Sequence, residues 1–273
     1  MENFHLPENF IDPGLPKGYM SPSQFSMYMR CSMQYYFRYV LDRKDPPGIA
    51  QLQGRVIHRG AEFALLKKMA KEKVIEKEAI EHASAFFDEK TAEIEDWGDQ
   101  DKGTTKNLTL SYLGVYLVQA VPVITPLAVE KQFTAKFGVV PMVGVIDLID
   151  QIPMKDELHP DLPPVDAQVV LDLKFTSRSW DEQRLRFEPQ LTYYAHITGT
   201  PYVGIDMLLE KKHGNAEYRR KPSIRTPKDV SLLIEDTEMA ADNIKKGRFP
   251  RCLPTNWNCT PKFCGYYKVC RGF

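Results

Sequence analysis

An acid and a lysine two residues apart, Asp172 and Lys174, interrupt the apolar run AQVVLDLKF, whose Val, Leu and Phe content predicts a β-strand. Residues i and i+2 of a strand share a face, so both charges project together from a strand that otherwise belongs in a core. Burying such groups is costly unless they pair or bind a metal. Two readings stand for the pair: a same-face salt bridge at a strand edge, or part of a metal site.

Other polar groups fall nearby in apolar settings. Asp147 ends GVID in a second predicted strand, MVGVIDLIDQI, and Gln190 and Tyr194 sit in QLTYY on a predicted helix after the Asp172 strand. A second acid on a neighbouring strand completes a site for a hard divalent cation such as Mg²⁺, which takes oxygen ligands and keeps several waters. Such an ion polarises a phosphodiester and lowers the pKa of an attacking water. Lys174 beside it is placed to orient or deprotonate that water, or to stabilise charge on the phosphate. His58, in GRVIH on a predicted helix, is either a ligand or a solvated residue paired with Glu62 at i+4.

The cysteines form a second pattern. There are five, Cys31, Cys252, Cys259, Cys264 and Cys270, and four of them crowd into the last 22 residues. An odd count, tight clustering and an N-terminus (MENFHLPENF) without an export signal argue against a disulfide framework and for a bound metal or cluster.

Composition bounds the rest. With 273 residues, 43% of them hydrophobic, the chain has the material for a packed core, and global disorder is excluded. Lys plus Arg and Asp plus Glu both number 36, which excludes binding nucleic acid through a uniformly cationic coat but leaves room for a local patch. From Met207 to Phe273 there are 14 basic against 7 acidic residues, densest in EKKHGNAEYRRKPSIR and KKGRFPR, which would draw in a phosphate backbone. Tyr35, Tyr36, Phe37, Trp257, Tyr266 and Tyr267 are candidates for stacking on unpaired bases, with packing as the alternative for most of them. The uncharged stretch ending at Val129 contains Gln119, Pro122 and Pro126, and reads as no membrane span. A soluble, cytoplasmic protein without a membrane partner is expected.

Read for organisation, residues 1–20 form an irregular arm. Ser21-Pro22 starts a helix carrying QFSMYMRCSMQYYFRYVL, a second starts near Gln51, residues 71–96 read as a solvated helix, and another spans about 105–119. Strands follow over LAVEKQFTAKF, MVGVIDLIDQI and AQVVLDLKF, with DELHPDLPPVD as the loop between the last two. A helix over about 181–197, a strand over YVGIDMLLE, a loop or hairpin tip over EKKHGNAEYRRK and a helix over about 227–246 lead into the cysteine-rich tail. The order predicts one mixed α/β domain with a helical N-terminal half.

In this order the motifs resemble the PD-(D/E)xK nuclease superfamily, specifically its RecB-like iron–sulfur branch, which includes CRISPR adaptation exonucleases and phage-encoded relatives. GRVIH (Gly54, His58) resembles the helical histidine motif, GVID the G-x-x-D motif, DLK the (D/E)-x-K motif and QLTYY the Q-x-x-x-Y motif. SPSQFSMYMRCSMQYYFRYV resembles the opening helix with its first cluster cysteine, so the likeness spans about residues 21–270. It implies a restriction-endonuclease-like α/β core, a mixed central sheet flanked by helices. The nuclease domain would cover 21–250, and the 251–273 tail would close an iron–sulfur cluster with Cys31. His58, Asp147, Asp172 and the Leu173 carbonyl would hold Mg²⁺ or Mn²⁺, Lys174 would serve the water and the phosphate, and Gln190 and Tyr194 would position the DNA backbone or brace the lysine. Glu130, in LAVEKQF, is expected to be an exposed surface acid, with membership of a second-metal site as the alternative.

A 4Fe–4S cluster on Cys31, Cys259, Cys264 and Cys270 is likewise implied, with Zn²⁺ on the same thiolates as the chemical rival. Here the chain departs from the family's usual two-residue spacing, since four residues separate Cys259 from Cys264. Cys259 is assigned as ligand because it lies nearer, Cys252 being then a free thiol, and the opposite assignment stays open. The implied function is a metal-dependent deoxyribonuclease, an exonuclease in recombination, repair or phage DNA processing, acting on DNA with a free end or single-stranded portion. The alternatives are a non-catalytic DNA-end-binding module and a subunit beside a separate helicase, since no G-x-x-x-x-G-K-[ST] motif appears in this sequence.

Overall fold

The computed structural model describes residues 6–7, 10–154, 165–211 and 214–272. Its helices are α1 (Pro22–Arg30), α2 (Ser32–Tyr35), α3 (Ile49–Met69), α4 (Glu76–Lys90), α5 (Lys102–Gln119), α6 (Glu182–Arg186), α7 (Pro189–Thr198), α8 (Pro227–Lys245) and α9 (Tyr267–Arg271). The strands are β1 (Pro126–Phe137), β2 (Val140–Met154), β3 (Val165–Thr176), β4 (Tyr202–Glu210) and β5 (Ala216–Ile224), in one sheet of order β1-β2-β3-β4-β5. β2 and β3 are antiparallel, β3 and β4 parallel, β4 and β5 antiparallel. The parallel pair needs a crossover, and α6–α7 supply it.

The chain divides into two compact units. One comprises Met1–Asp45, Gln132–Gly144 and Pro227–Phe273, the other Pro46–Lys131 and Val145–Thr226.

In the second unit, alternation along β3 sorts its side chains. Val169, Leu171 and Leu173 enter a core with Leu52, Val56 and Ile57 of α3, Phe87 of α4 and Tyr112, Leu113 and Tyr116 of α5. Gly60 lets α3 lie close to α5 and α4, since a β-carbon there would press on the Leu113 methyls and on Ala83. The intervening Asp172 and Lys174 instead reach Gln190 of α7. The expected helix over 181–197 is broken into α6 and α7. Pro189 cannot donate a helical hydrogen bond and holds Glu188 extended (ψ 114°), so α7 restarts with proline in its first turn.

EKKHGNAEYRRK is not a loop throughout: Ala216 onward is β5, paired with β4 from Glu210↔Ala216 to Tyr202↔Ile224. Its cations are largely spoken for. Arg220 reaches Asp206 with Nε (2.7 Å) and Nη2 (2.9 Å) and Asp150 with Nη1 (2.6 Å), both carboxylates being fully buried. Lys211 and Arg219 pair with Glu217, and Lys221 donates to Trp180 O at 2.6 Å. The loop expected over 156–166 lies outside the described residues except for its last two, which open β3.

In the first unit the expected opening helix starts at the Ser21 cap, whose Oγ accepts from Gln24 N at 3.2 Å. It does not run on unbroken. Cys31 is extended (φ −161°, ψ 101°) and separates α1 from α2, and a π-helical turn over Tyr36–Val40 follows. Met20 bridges to Met142, and Tyr28 OH donates to Arg248 O at 2.9 Å. Phe37 stacks on Tyr266 with centroids 5.4 Å apart, and Tyr266 OH donates to Arg43 O at 2.6 Å. Tyr35, Phe37 and Tyr266 are thus packing residues, whereas Trp257 is 67% exposed. No helix among the described residues is long and apolar enough to cross a membrane.

Candidate functional site

The β2–β3 register runs from Met154↔Val165 to Leu148↔Leu171, which makes Asp147 and Asp172 the next residues on facing strands. There a side chain takes over from the ladder: Leu173 N donates to Asp147 Oδ2 at 2.8 Å. Opposite, His58 of α3 stands with Nε2 2.8 Å from Leu173 O, and with the hydrogen on Nε2 it donates to that carbonyl. Its Nδ1 then faces two acids, Asp147 Oδ2 at 3.7 Å and Glu130 Oε1 at 3.8 Å. His58, Glu130 and Asp147 offer ligand atoms that all lie within 4.8 Å of one another.

Glu130 reaches this group from a left-handed backbone (φ 46°) inside β1, a conformation that favours glycine and costs about 1–3 kcal/mol in a non-glycine residue. The exposed surface acid expected at this position is instead half-buried, with its carboxylate beside His58.

Asp172 lies outside that triad but in the same field. Oδ1 accepts from Gln190 Nε2 at 2.8 Å, while Oδ2 lies 2.6 Å from Lys174 Nζ, off the direction of a hydrogen bond. Lys174 also approaches Gln190 Oε1 at 3.4 Å, Gln190 Nε2 lies 2.5 Å from Tyr194 OH, and Tyr194 OH donates to Val145 O at 2.6 Å. Gln190 and Tyr194, four apart on α7, thus form a brace from β2 to the Asp172–Lys174 pair.

The electrostatics follow from packing three carboxylates with few cations. Burial alone would lower the His58 pKa, but Asp147, Glu130 and Asp172 outweigh it and lift it to about 9. Burial raises Asp172 to about 6 against the pull of Lys174, and burial likewise raises Asp147. Burial opposes the charge on Lys174, yet Asp172 and Asp147 hold its pKa above the usual lysine value. The salt-bridge reading of Asp172–Lys174 and the metal reading therefore describe the same atoms. The pair exists, and among the described residues no hydrogen bond reaches Asp172 Oδ2.

The five thiols gather in the first unit. Cys31, Cys252, Cys259, Cys264 and Cys270 line one small pocket, with Asn258 and Arg271. Cys252, set apart by its spacing, lies beside Cys31 and Cys259, and burial together with those neighbours pushes its pKa up to about 12. Burial opposes ionisation of Cys31, but hydrogen bonds from the Cys252 and Gln34 backbones bring its pKa below the usual value. Arg271 Nη2 donates to Cys259 Sγ at 3.2 Å. Buried Asn258 Oδ1, Thr260 Oγ1 and Arg271 Nε have no hydrogen-bond partner among the described residues.

No curated protein sequence matches this chain. Among solved structures, a candidate exonuclease from Eubacterium rectale is similar with a TM-score of 0.52 at 13% identity, covering 86% of this chain and 84% of that one. SSO0001 aligns over 88% of this chain and 94% of its own at 15% identity, with a TM-score of 0.35. The first likeness, with the mixed sheet and its flanking helices, shows a restriction-endonuclease-like α/β fold. The sequence profile of the PD-(D/E)XK nuclease superfamily matches residues 19–271, nearly the whole chain including every motif residue above, and the chain belongs to that superfamily.

Proposed function

We propose that this protein is a divalent-metal-dependent deoxyribonuclease acting as an exonuclease. One observation carries the reading: His58, Glu130 and Asp147 already converge, and beside them the buried Asp172 carboxylate lies 2.6 Å from the ammonium of Lys174. An imidazole with several carboxylates suits Mg²⁺ or Mn²⁺. His58, Asp147, Asp172 and the Leu173 carbonyl would hold it, with Glu130 as the further acid.

When bound, such an ion polarises the phosphodiester and lowers the pKa of the attacking water. Lys174 orients that water and neutralises charge growing on the phosphate. Gln190 holds the Asp172 and Lys174 side chains in register, and Tyr194 ties Gln190 to β2. The substrate would be DNA with a free end, in recombination, repair or phage DNA processing.

A second group fits the thiols. Four thiolates suit a 4Fe–4S cluster, with Zn²⁺ the rival, and the orphaned polar atoms beside the pocket are suited to a guest. Cys31, Cys259, Cys264 and Cys270 are the proposed ligands. The Arg271 guanidinium at Cys259 Sγ favours a thiolate there, and Cys252 is the fifth, non-ligating thiol. Iron and acid-labile sulfide in anaerobically purified protein, lost in Cys31→Ala and kept in Cys252→Ala, are the expected results.

The nuclease reading is tested on end-labelled linear DNA beside a closed circle. Cleavage of the linear DNA alone with Mg²⁺ or Mn²⁺, abolished by EDTA and reduced at least a hundredfold in a Lys174→Ala variant whose circular dichroism shows the fold retained, is expected. Binding without cleavage under every metal would overturn it.

A further inference from the structure

Five thiols line one pocket, whereas a tetrahedral zinc or a four-iron cluster takes four of them. The surplus thiol has a definite place. Cys31, Cys259 and Cys270 all act electrostatically on the Cys264 thiol, so the four expected ligands face one another. Cys252 stands at the edge of that group, beside both Cys31 and Cys259.

Its backbone is held there from two sides. The Cys252 N–H donates to the Cys31 sulfur, and Cys252 O accepts from Arg271 Nη2 at 2.8 Å. The same nitrogen donates to Cys259 Sγ at 3.2 Å. The cation that offsets a thiolate at Cys259 is therefore already anchored on Cys252. Cys31 comes from a different stretch of chain, and its sulfur is fixed further by the Gln34 N–H.

The segment between Cys252 and Cys259 is built to shift. It folds into tight turns, with Asn256 N donating to Leu253 O at 2.9 Å and Cys259 N to Asn256 O at 2.8 Å. Leu253 is 74% exposed, and Trp257 packs edge-on against Phe263, which is exposed as well. Of the six residues between the two cysteines, Asn258 alone is buried. Asn258 Oδ1 and Thr260 Oγ1, on either side of Cys259, have no hydrogen-bond partner among the described residues, so these side chains do not lock it. A segment with so few buried contacts moves at little cost.

We propose that Cys252 and Cys259 share one ligand position: Cys259 occupies it at rest, and Cys252 takes it when Cys259 is lost, so the pocket keeps four thiolates. The substitution changes no oxidation state. A metal–sulfur bond to Cys259 breaks, one to Cys252 forms, and the Cys252 proton passes to the departing thiolate. The inference rests on the reading of the pocket as a metal or cluster site, and it is the same for iron–sulfur and for zinc.

The test loads the full chain anaerobically, with Fe²⁺ and sulfide in one sample and Zn²⁺ in another. Bound metal is counted, and iodoacetamide followed by mass spectrometry finds the thiols left unprotected. Each loaded wild-type molecule should take one label, on Cys252 in most molecules and on Cys259 in a detectable minority. Cys252→Ala and Cys259→Ala should each keep the wild-type metal content and take no label. The double variant should lose bound metal by roughly tenfold or more, and so should Cys31→Ala, whose position has no substitute. Circular dichroism shows which variants keep the fold.

Loss of metal from a folded Cys259→Ala would overturn the shared position. If that variant does not fold, the wild type decides, and label confined to Cys252 would overturn it. A wild type that takes zinc but no iron and sulfide, with labels divided as expected, would sink the cluster and sustain the shared position. A wild type that takes neither would overturn both.

Discussion

Glu130 is the residue where backbone and chemistry are most directly coupled. Glu130→Gln keeps the left-handed backbone and removes a charged ligand atom, and should weaken Mn²⁺ binding about tenfold or more by calorimetry, at nearly unchanged melting temperature. Glu130→Gly removes the ligand and relieves the strain as well, so it should lose metal affinity to the same degree yet unfold at a higher temperature than Glu130→Gln. Proton linkage gives a second check. His58 is raised from 6.5 to about 9, so its contribution to stability is complete below pH 6.5 and lost as pH rises through 9. Asp172 is raised from 3.8 to about 6, and its contribution is likewise lost as pH climbs through 6. Both signs agree: without metal the protein should lose stability between about pH 4 and 9. Metal binds the deprotonated ligands, so the rise in melting temperature on adding Mn²⁺ should grow over the same range. A metal-induced rise that shrinks with pH would contradict this account.

Among elements, β5 shows what the sequence could and could not convey. Arg220 looked like one of several surface cations, yet it is the counter-ion of two buried acids on β4 and β2. Arg220→Ala should cost about 3–5 kcal/mol in a urea melt, because Asp150 and Asp206 would be left buried and unpaired. Three acids, in GVID, LID and GID, stand in similar apolar surroundings, and only their partners separate structural Asp150 and Asp206 from Asp147 in the site. Asp172 and Lys174 were legible because their i, i+2 spacing is local, and Gln190 and Tyr194 because they share one helix face. Glu130 was read as an exposed acid because a strand-interior residue with positive φ has no one-dimensional signature. The helix broken at Cys31 was missed for a different reason: the flanking residues favour continuous helix, and the thiol pocket that Cys31 lines is otherwise built mostly from the distant C-terminal tail. Pro189, by contrast, marks the break before α7 in the sequence itself, and the expectation of one helix over 181–197 overlooked it.

For the molecule as a whole, charge and connectivity are unevenly spread. Between Asn243 and Gly272 there are seven cations and no acid, although the whole chain is balanced. The first unit draws on three separate stretches of chain, and the last of them packs on the first through Tyr266 with Phe37 and Arg43, and Arg248 with Tyr28. Deleting residues 251–272 should therefore loosen helices more than 200 positions upstream. Limited proteolysis should then cut first within 22–45, which the intact chain protects. The same connectivity sets an order of events during synthesis. Cys31 leaves the ribosome 221 residues before Cys252, an interval of roughly 10–45 s at ~5–20 residues per second. Throughout that interval the first helices have neither their aromatic partners nor the other four thiols. The second unit, whose last residue precedes α8, can close before the thiol pocket exists. The nascent chain thus acquires its acidic site first and its thiol pocket last, and a lone Cys31 must stay reduced while it waits.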